Sequence, residues 1–276
     1  LIITDLDNTL LDENYGFEAA EGTLRKLKER SVPLIIATSK TIGETLHFQK
    51  LLGIDYPFVV ENGGAAYIPR AFYLSQGKEP FFEGEFYEIP LGVPFEELLN
   101  FMEEFSRKHG ARFSFLHTMS VEEVAKLTGL PPHLALLARR RDWDIPFLPE
   151  DEGVVPLLER EARAKGLRLQ KGGIFYHLTG DHSKASALGQ VLKASGLEDY
   201  LIIALGDSPN DLEMLKMAQV PVLVSATPDS LREMKREIPR LRAYEEKAAR
   251  GWARAVEDIL KEIEGGELWQ TFIRQG

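Results

Sequence analysis

The sequence predicts an α/β protein with an open, mainly parallel sheet and an inserted α+β domain that divides the core along the chain. Three observations predict this. Short β-prone apolar runs alternate with helical stretches over the first sixty residues, an aromatic-rich middle follows another pattern, and the alternation returns after His177.

In chain order, Leu1-Ile2-Ile3-Thr4 is a β-prone run that stops at Asp5, and residues 17–30 carry Leu24 and Leu27 in a helical stretch. Residues 32–37 form a second apolar run leading to Thr38-Ser39. Thr41 is placed to cap a helix whose apolar positions Ile42, Leu46, Leu51 and Leu52 end at Gly53, and Phe58-Val59-Val60 then closes on Glu61-Asn62-Gly63-Gly64. A βαβαβ order of this kind implies parallel pairing with right-handed crossovers. The middle reads as extended segments at Phe81-Phe82, Phe86-Tyr87 and Phe113-Ser114-Phe115, with helices over residues 95–108 and 121–127. The expected limits are a core of residues 1–83 and 178–276 and an insert of residues 84–177. Past the insert come a helix over 184–194, a strand over 201–205, Gly206-Asp207, a helix over 212–217 and a strand over 220–224. Residues from Gly265 read as a terminal extension.

With 276 residues, 44% of them hydrophobic, the chain can build one large or two medium cores. No apolar run approaches the roughly 20 residues that span a bilayer, and Leu1-Ile2-Ile3 is too short for a signal peptide, so no membrane partner and a cytoplasmic location are expected. The absence of cysteine excludes disulfides and thiolate metal sites, and suits a reducing compartment or a hot habitat. A net charge of -10 argues against a nucleic-acid backbone binder, so an anionic ligand has to be met by local cations or by a metal.

Asp5 and Asp7 are two apart, which places both side chains on one face if the strand stays extended. By themselves they read equally well as turn residues before Asn8 and Thr9. Three further polar groups fall where predicted strands end or a helix begins: Thr38-Ser39, Lys184 and Gly206-Asp207-Ser208-Pro209-Asn210-Asp211. Open α/β sheets bind ligands in that crevice. Magnesium takes hard oxygen ligands and keeps several waters, which suits Asp5, Asp207 and a main-chain carbonyl near Asp7. Lys184, the hydroxyl of Thr38 or Ser39 and amide groups near Asn8 can then hold a phosphoryl group, although a lone lysine at a helix start is ordinarily a solvated residue.

Taken in order, Asp5-Leu6-Asp7-Asn8-Thr9-Leu10, Thr38-Ser39, Lys184 and the segment from Gly206 to Asp211 resemble the four motifs of the haloacid dehalogenase superfamily. The resemblance implies that Asp5 is a nucleophile and metal ligand, Asp7 a general acid and base that also offers its carbonyl to the metal, and Asp207 a ligand. It implies further that Asp211 is a ligand or supports one, and that Asn210 joins Asn8, Thr38, Ser39 and Lys184 around the phosphate. The insert resembles the larger α+β caps of sugar-phosphate phosphatases. Over nearly the whole chain, Ser39-Lys40-Thr41, Pro57-Phe58-Val59-Val60-Glu61-Asn62-Gly63, Leu127-Thr128-Gly129-Leu130-Pro131-Pro132, Arg141-Asp142-Trp143 and Gly172-Gly173-Ile174-Phe175-Tyr176-His177 are similar to mannosyl-3-phosphoglycerate phosphatases. Such a family membership implies a small phosphorylated sugar-glycerate as substrate, with Arg141, Asp142, Tyr176 and His177 as cap contacts.

Ile174 and Ile145 stand where that family usually has arginine and glutamate, and are expected to pack together as an apolar pair. Other readings are a glucosyl-3-phosphoglycerate or sucrose-phosphate phosphatase, a sugar phosphomutase, a phosphorylatable receiver module and a magnesium-binding structural protein. Phosphate release from a small phosphoester separates the first group from the rest.

Overall fold

The computed structural model describes residues 1–266; residues 267–276, most of the predicted terminal extension, lie outside the described residues. Two compact units make up the chain, one of Leu1–Ile36 with the stretch from Asp199 onward and one of Ala37–Glu198. The first begins with β1 (Ile2–Thr4), α1 (Glu21–Glu29) and β2 (Leu34–Ala37). The second opens with α2 (Ile42–Leu52), β3 (Phe58–Val60), β4 (Ala65–Pro69), α3 (Arg70–Ser75) and β5 (Phe86–Pro90). It continues through α4 (Phe95–His109), β6 (Phe113–Phe115), α5 (Val121–Thr128), α6 (Pro132–Ala138) and β7 (Asp144–Pro149). It closes with α7 (Val155–Ala164), β8 (Leu167–Lys171), β9 (Tyr176–Gly180) and α8 (Lys184–Ser195). The first unit resumes with β10 (Ile203–Gly206), α9 (Leu212–Met217), β11 (Val220–Leu223), α10 (Pro228–Glu237), β12 (Arg242–Ala243) and α11 (Ala248–Glu264).

In the first unit five strands run parallel in the order β12-β11-β10-β1-β2. Every residue of β1, β2, β10 and β11 is buried. Strands covered on both faces have no polar side to show, which is why the sequence carries unbroken apolar runs there. The register sets Thr4 opposite Leu205, and the Asp5 N–H donates to the Leu205 carbonyl at 3.0 Å. Adjacent parallel strands thus deliver Asp5 and Asp207 to the same end of the sheet. Helix α11, absent from the sequence reading, buries Trp252 completely. Its Nε1–H donates to the Thr4 hydroxyl at 3.0 Å, and that hydroxyl donates to the Asp5 carbonyl at 2.7 Å.

In the second unit β3, β4 and β5 form an antiparallel run, with Val59 opposite Ala66 and Ile68 opposite Tyr87. A separate antiparallel sheet has the order β6-β7-β9-β8. Leu98, Met102 and Phe105 of α4 and Leu158 of α7 pack on Ile145, Phe147 and Leu178 of this sheet. Complete burial of such a side chain contributes roughly 1.5 to 3 kcal/mol, so this core supports a cap sheet of its own. Of the stretch 84–177, β5 pairs with β4 rather than with the cap sheet, and β9 runs on to Gly180.

Helix α2 follows its sequence signals: Thr41 and Glu44 form a capping box and Gly53 closes the helix at φ 63°. The expected helical stretch over residues 17–30 is helical from Glu18 to Glu29, its first turn, Glu18–Ala20, being a 3-10 helix that runs into α1. Two expectations are corrected. Phe81 and Phe82 lie in no strand; between Gly77 at φ 69° and Gly84 at φ 90° they pack edge-on against Tyr73, with Phe81 and Tyr87 rings 4.7 Å apart. Ile145 and Ile174 do not pair. Ile145 is fully buried opposite Leu178, whereas Ile174 is 44% exposed between β8 and β9. Ile174 lies in the bend at residues 173–175 that joins β8 to β9, outside the paired strands.

Candidate active site

The site is built first from strand ends. β1 ends at Thr4 and β10 at Gly206, and the carboxylates of Asp5, Asp207 and Asp211 offer ligand atoms within 4.8 Å of one another. Asp211 is fully buried, and its Oδ2 accepts the N–H of Asp207 at 3.0 Å and of Ser208 at 3.4 Å. Gly206 is required for this: a Cβ there would stand 2.5 Å from the Asp211 side chain. The Thr9 hydroxyl donates to Asp207 Oδ1 at 3.4 Å. After β1 the chain turns sharply, with the amides of Thr9, Leu10 and Leu11 all directed at the Leu6 carbonyl. Asn8 takes φ 56° in that turn, a conformation asparagine tolerates better than most residues, and its carbonyl accepts from the Ser225 hydroxyl at 2.9 Å. Asp7 is half-buried, and its carboxylate is not one of the three in the acidic cluster. Asn8 and Asn210 are exposed.

Three oxygen-donor carboxylates of like charge fit a hard divalent cation such as magnesium, which takes few protein ligands and keeps waters. Soft metals are poorly served, since the cluster offers neither sulfur nor imidazole.

The second unit carries the other predicted phosphate ligands. Thr38 is buried just beyond β2; its N–H donates to the Val59 carbonyl at 3.0 Å and its hydroxyl accepts the Lys40 N–H at 3.2 Å. Ser39 is half-buried between them. Lys184 is buried at the first position of α8, behind the Ser183 cap. The 61–63 turn ties these pieces together: Glu61 N–H donates to the Lys40 carbonyl and Asn62 N–H to the Thr38 carbonyl, each at 3.0 Å. A Cβ on Gly63 would stand 2.1 Å from the Ser183 carbonyl oxygen, so the turn lies directly on the start of α8.

The predicted cap contacts separate into two groups. His177 and Arg141 meet on Asp144, a residue the sequence reading misses: Asp144 Oδ2 accepts from Arg141 Nη1 and pairs with His177 Nδ1, both at 2.8 Å. Arg141 also donates to the Ser39 carbonyl at 3.1 Å and the Ala138 carbonyl at 3.3 Å, so its guanidinium is committed to the protein's own structure. Burial pushes the Asp144 carboxyl up, but His177 and Arg141 outweigh it and hold the group below the usual carboxylate range. Tyr176 does not share the His177 face. Successive strand residues point to opposite sides, and Tyr176 is stacked on Phe147 with its hydroxyl donating to Glu152 at 2.6 Å. Asp142 is exposed as a whole residue, but surrounding protein partly desolvates its carboxyl and, with nearby Glu88, raises it. Glu61, also missed, is fully buried and accepts the N–H groups of Asp142 and Trp143 at 3.1 and 2.9 Å. Burial pushes its carboxyl up to about 8, against the opposing pull of Arg141 and those amides. No single-sequence signal marks Asp144 or Glu61, because a buried acid and an exposed one look alike until packing is known.

The sequence profile of the haloacid dehalogenase-like hydrolases matches residues 2–78 and 170–239. A glucosyl-3-phosphoglycerate/mannosyl-3-phosphoglycerate phosphatase of Persephonella marina is 36% identical over 271 residues, covering 96% of this chain and 99% of that protein. Its counterpart of the same name in Methanococcoides burtonii is 34% identical over 264 residues, with coverage of 94% and 97%. Among solved structures, a haloacid dehalogenase-like hydrolase from Bacteroides thetaiotaomicron superposes with a TM-score of 0.67 at 19% identity, covering 94% of this chain and 98% of that one.

Proposed function

The chain belongs to the haloacid dehalogenase-like hydrolases, and we propose that it is a magnesium-dependent phosphatase converting mannosyl-3-phosphoglycerate to mannosylglycerate and inorganic phosphate. The observation that carries this reading is the convergence of Asp5, Asp207 and Asp211 at the ends of β1 and β10, in a chain that matches similarly named phosphatases along almost their whole length. Mannosylglycerate is a compatible solute, and a substrate bearing a carboxylate and a phosphate belongs in the cytoplasm. No helix among the described residues is long and apolar enough to cross a membrane.

In this reading an Asp5 carboxylate oxygen attacks phosphorus and the bond to the glycerate oxygen breaks, leaving an aspartyl-phosphate. Asp7 gives its proton to the departing oxygen, then takes one from the water that hydrolyses the acyl phosphate and frees Asp5. Asp5, Asp207, the Asp7 carbonyl and Asp211 would hold a magnesium ion, which would supply countercharge for the phosphoryl oxygens. Lys184, Thr38, Ser39, Asn8 and Asn210 bind the phosphoryl group, and the Thr4–Trp252 hydrogen bond keeps the Asp5 backbone in register with Leu205. Residues 84–177 supply the cap that admits and orients the sugar-glycerate, with His177 as its foremost contact.

The paired names of the relatives favour a second sugar, so glucosyl-3-phosphoglycerate is the other substrate to expect. The deciding measurement is phosphate release from mannosyl- and glucosyl-3-phosphoglycerate, sucrose phosphate and hexose phosphates, with magnesium and with chelator. Release from the phosphoglycerates only in the presence of magnesium is the expected result. Isomerisation of a hexose phosphate without release would identify a phosphomutase instead.

A further inference from the structure

We propose that Glu61 is a positioning residue that fastens the start of cap strand β7 to the loop bearing Thr38 and Ser39, so that the cap and the phosphate-binding loop hold one alignment. The inference rests on the phosphatase reading and assigns a specificity role to a side chain outside the reacting groups.

The side chain and backbone of this residue reach in different directions. Both carboxylate oxygens are used on the adjacent amides of Asp142 and Trp143, while the main-chain N–H groups of Glu61 and Asn62 hold the carbonyls of Lys40 and Thr38. Glu61 and Asn62 adopt φ of 46° and 58°, a left-handed conformation disfavoured for residues with a Cβ, and surrounding contacts must impose it. Trp143 closes the other side: a Cβ on Gly64 would stand 2.3 Å from the Trp143 Cβ, and one on Gly92 would stand 3.0 Å from it. A second strap runs beside the first, where Arg141 joins the Ser39 carbonyl to Asp144. Both straps land on four consecutive residues, 141–144.

A carboxyl group suits this task because both of its oxygens accept, and in the acid form its one O–H can turn away from an amide, so it can take two neighbouring N–H groups at once. Glutamine matches its size but presents an NH2 group to one of the two N–H donors. Glu61→Gln therefore severs one arm of the cap tie while leaving the backbone bonds to the phosphate loop in place. A substrate positioned by the cap should feel that change far more than a small aryl phosphate that needs no cap contact.

The experiment compares kcat/KM for mannosyl-3-phosphoglycerate and p-nitrophenyl phosphate in wild type and Glu61→Gln, alongside hydrogen exchange at the amides of Asp142 and Trp143. The ratio of the two kcat/KM values should fall on the order of 10- to 100-fold in the variant, the scale expected when a substrate is slightly misplaced. Both amides should be protected in wild type, and at least one should exchange faster in the variant. Equal losses on the two substrates overturn the proposal, as do wild-type amides that exchange as freely as exposed ones. Should wild type release no phosphate from any sugar phosphoglycerate, the phosphatase reading fails by itself. The exchange measurement then still decides the fastening, with an unchanged pattern in Glu61→Gln overturning it.

Discussion

The acidic groups of the two units are grouped differently. Asp5, Asp207 and Asp211 gather three carboxylates within 4.8 Å, where fully ionised neighbours repel by roughly 3 to 4 kcal/mol per pair at an effective dielectric near 20. Asp144, fully buried, meets Arg141 and His177, and the Glu61 carboxyl accepts two amides. Concentrating like charge serves a ligand that arrives with the opposite sign. Balancing buried charge inside the chain serves architecture, because a charge stranded by loss of its partner is expensive. Replacing Asp5 should thus abolish chemistry and spare the fold, and replacing Asp144 should cost the fold first.

The sharpest version of that contrast is Asp5→Asn. Phosphate release should drop by at least about four orders of magnitude, as expected when a nucleophile is lost, while the melting temperature in metal-free buffer changes little because asparagine keeps the size and shape of the side chain. Asp7→Asn should lose roughly 100- to 1,000-fold on the sugar substrate and much less in phosphoenzyme formation from p-nitrophenyl phosphate, whose leaving group needs little protonation. Equal phosphoenzyme defects in the two variants would collapse the division of labour between nucleophile and acid.

Asp144→Asn tests the other half. It leaves Arg141 buried without its countercharge, so urea denaturation should show a loss of about 3 to 5 kcal/mol. A variant as stable as wild type would show that this network is not structural.

A smaller effect should appear as pH dependence. Glu61 holds its proton up to about 8 when folded, against a value of 4.5 for the unfolded chain. Between those values the folded protein keeps a proton that the unfolded chain has released. The contribution of Glu61 is therefore fully present below pH 4.5, declines as pH rises, and is lost above about 8. Urea midpoints of wild type minus Glu61→Gln across pH 5 to 9 isolate this slope from His182 and Asp144, whose shifts run downward in both proteins. Parallel curves would refute it. The least effect belongs to Ile174→Arg, which should stay within about 0.5 kcal/mol because the residue lies on an exposed hairpin. A larger loss would mean that Ile174 is packed after all.

Element order and the acidic motifs were legible because they are local. Apolar runs such as Val59-Val60, capping residues such as Thr41 and Gly53, and acids stationed just past a strand all declare themselves within a few residues. The same locality explains the misses. Tyr176 and His177 are neighbours in sequence, yet the pleat sends one into the cap core and the other toward Asp144. Phe81 and Phe82 have strand composition but sit between two glycines at positive φ. Ile145 and Ile174 invited pairing because both replace charged residues of the resembled family, but Ile145 lies inside β7 and Ile174 in the bend beyond β8.

By itself, then, the sequence determined the α/β alternation, the strand-end acids Asp5 and Asp207 and the helix-start Lys184, since each depends on periodicity or capping over one element. Tertiary structure alone decided that Trp252 reaches across 248 residues to steady Thr4, and that Glu61 and Arg141 brace the cap. Those roles require residues far apart in the chain to meet at hydrogen-bond distance. No periodicity encodes such a meeting; it is set by strand register and by which side chains the packed core leaves pointing inward.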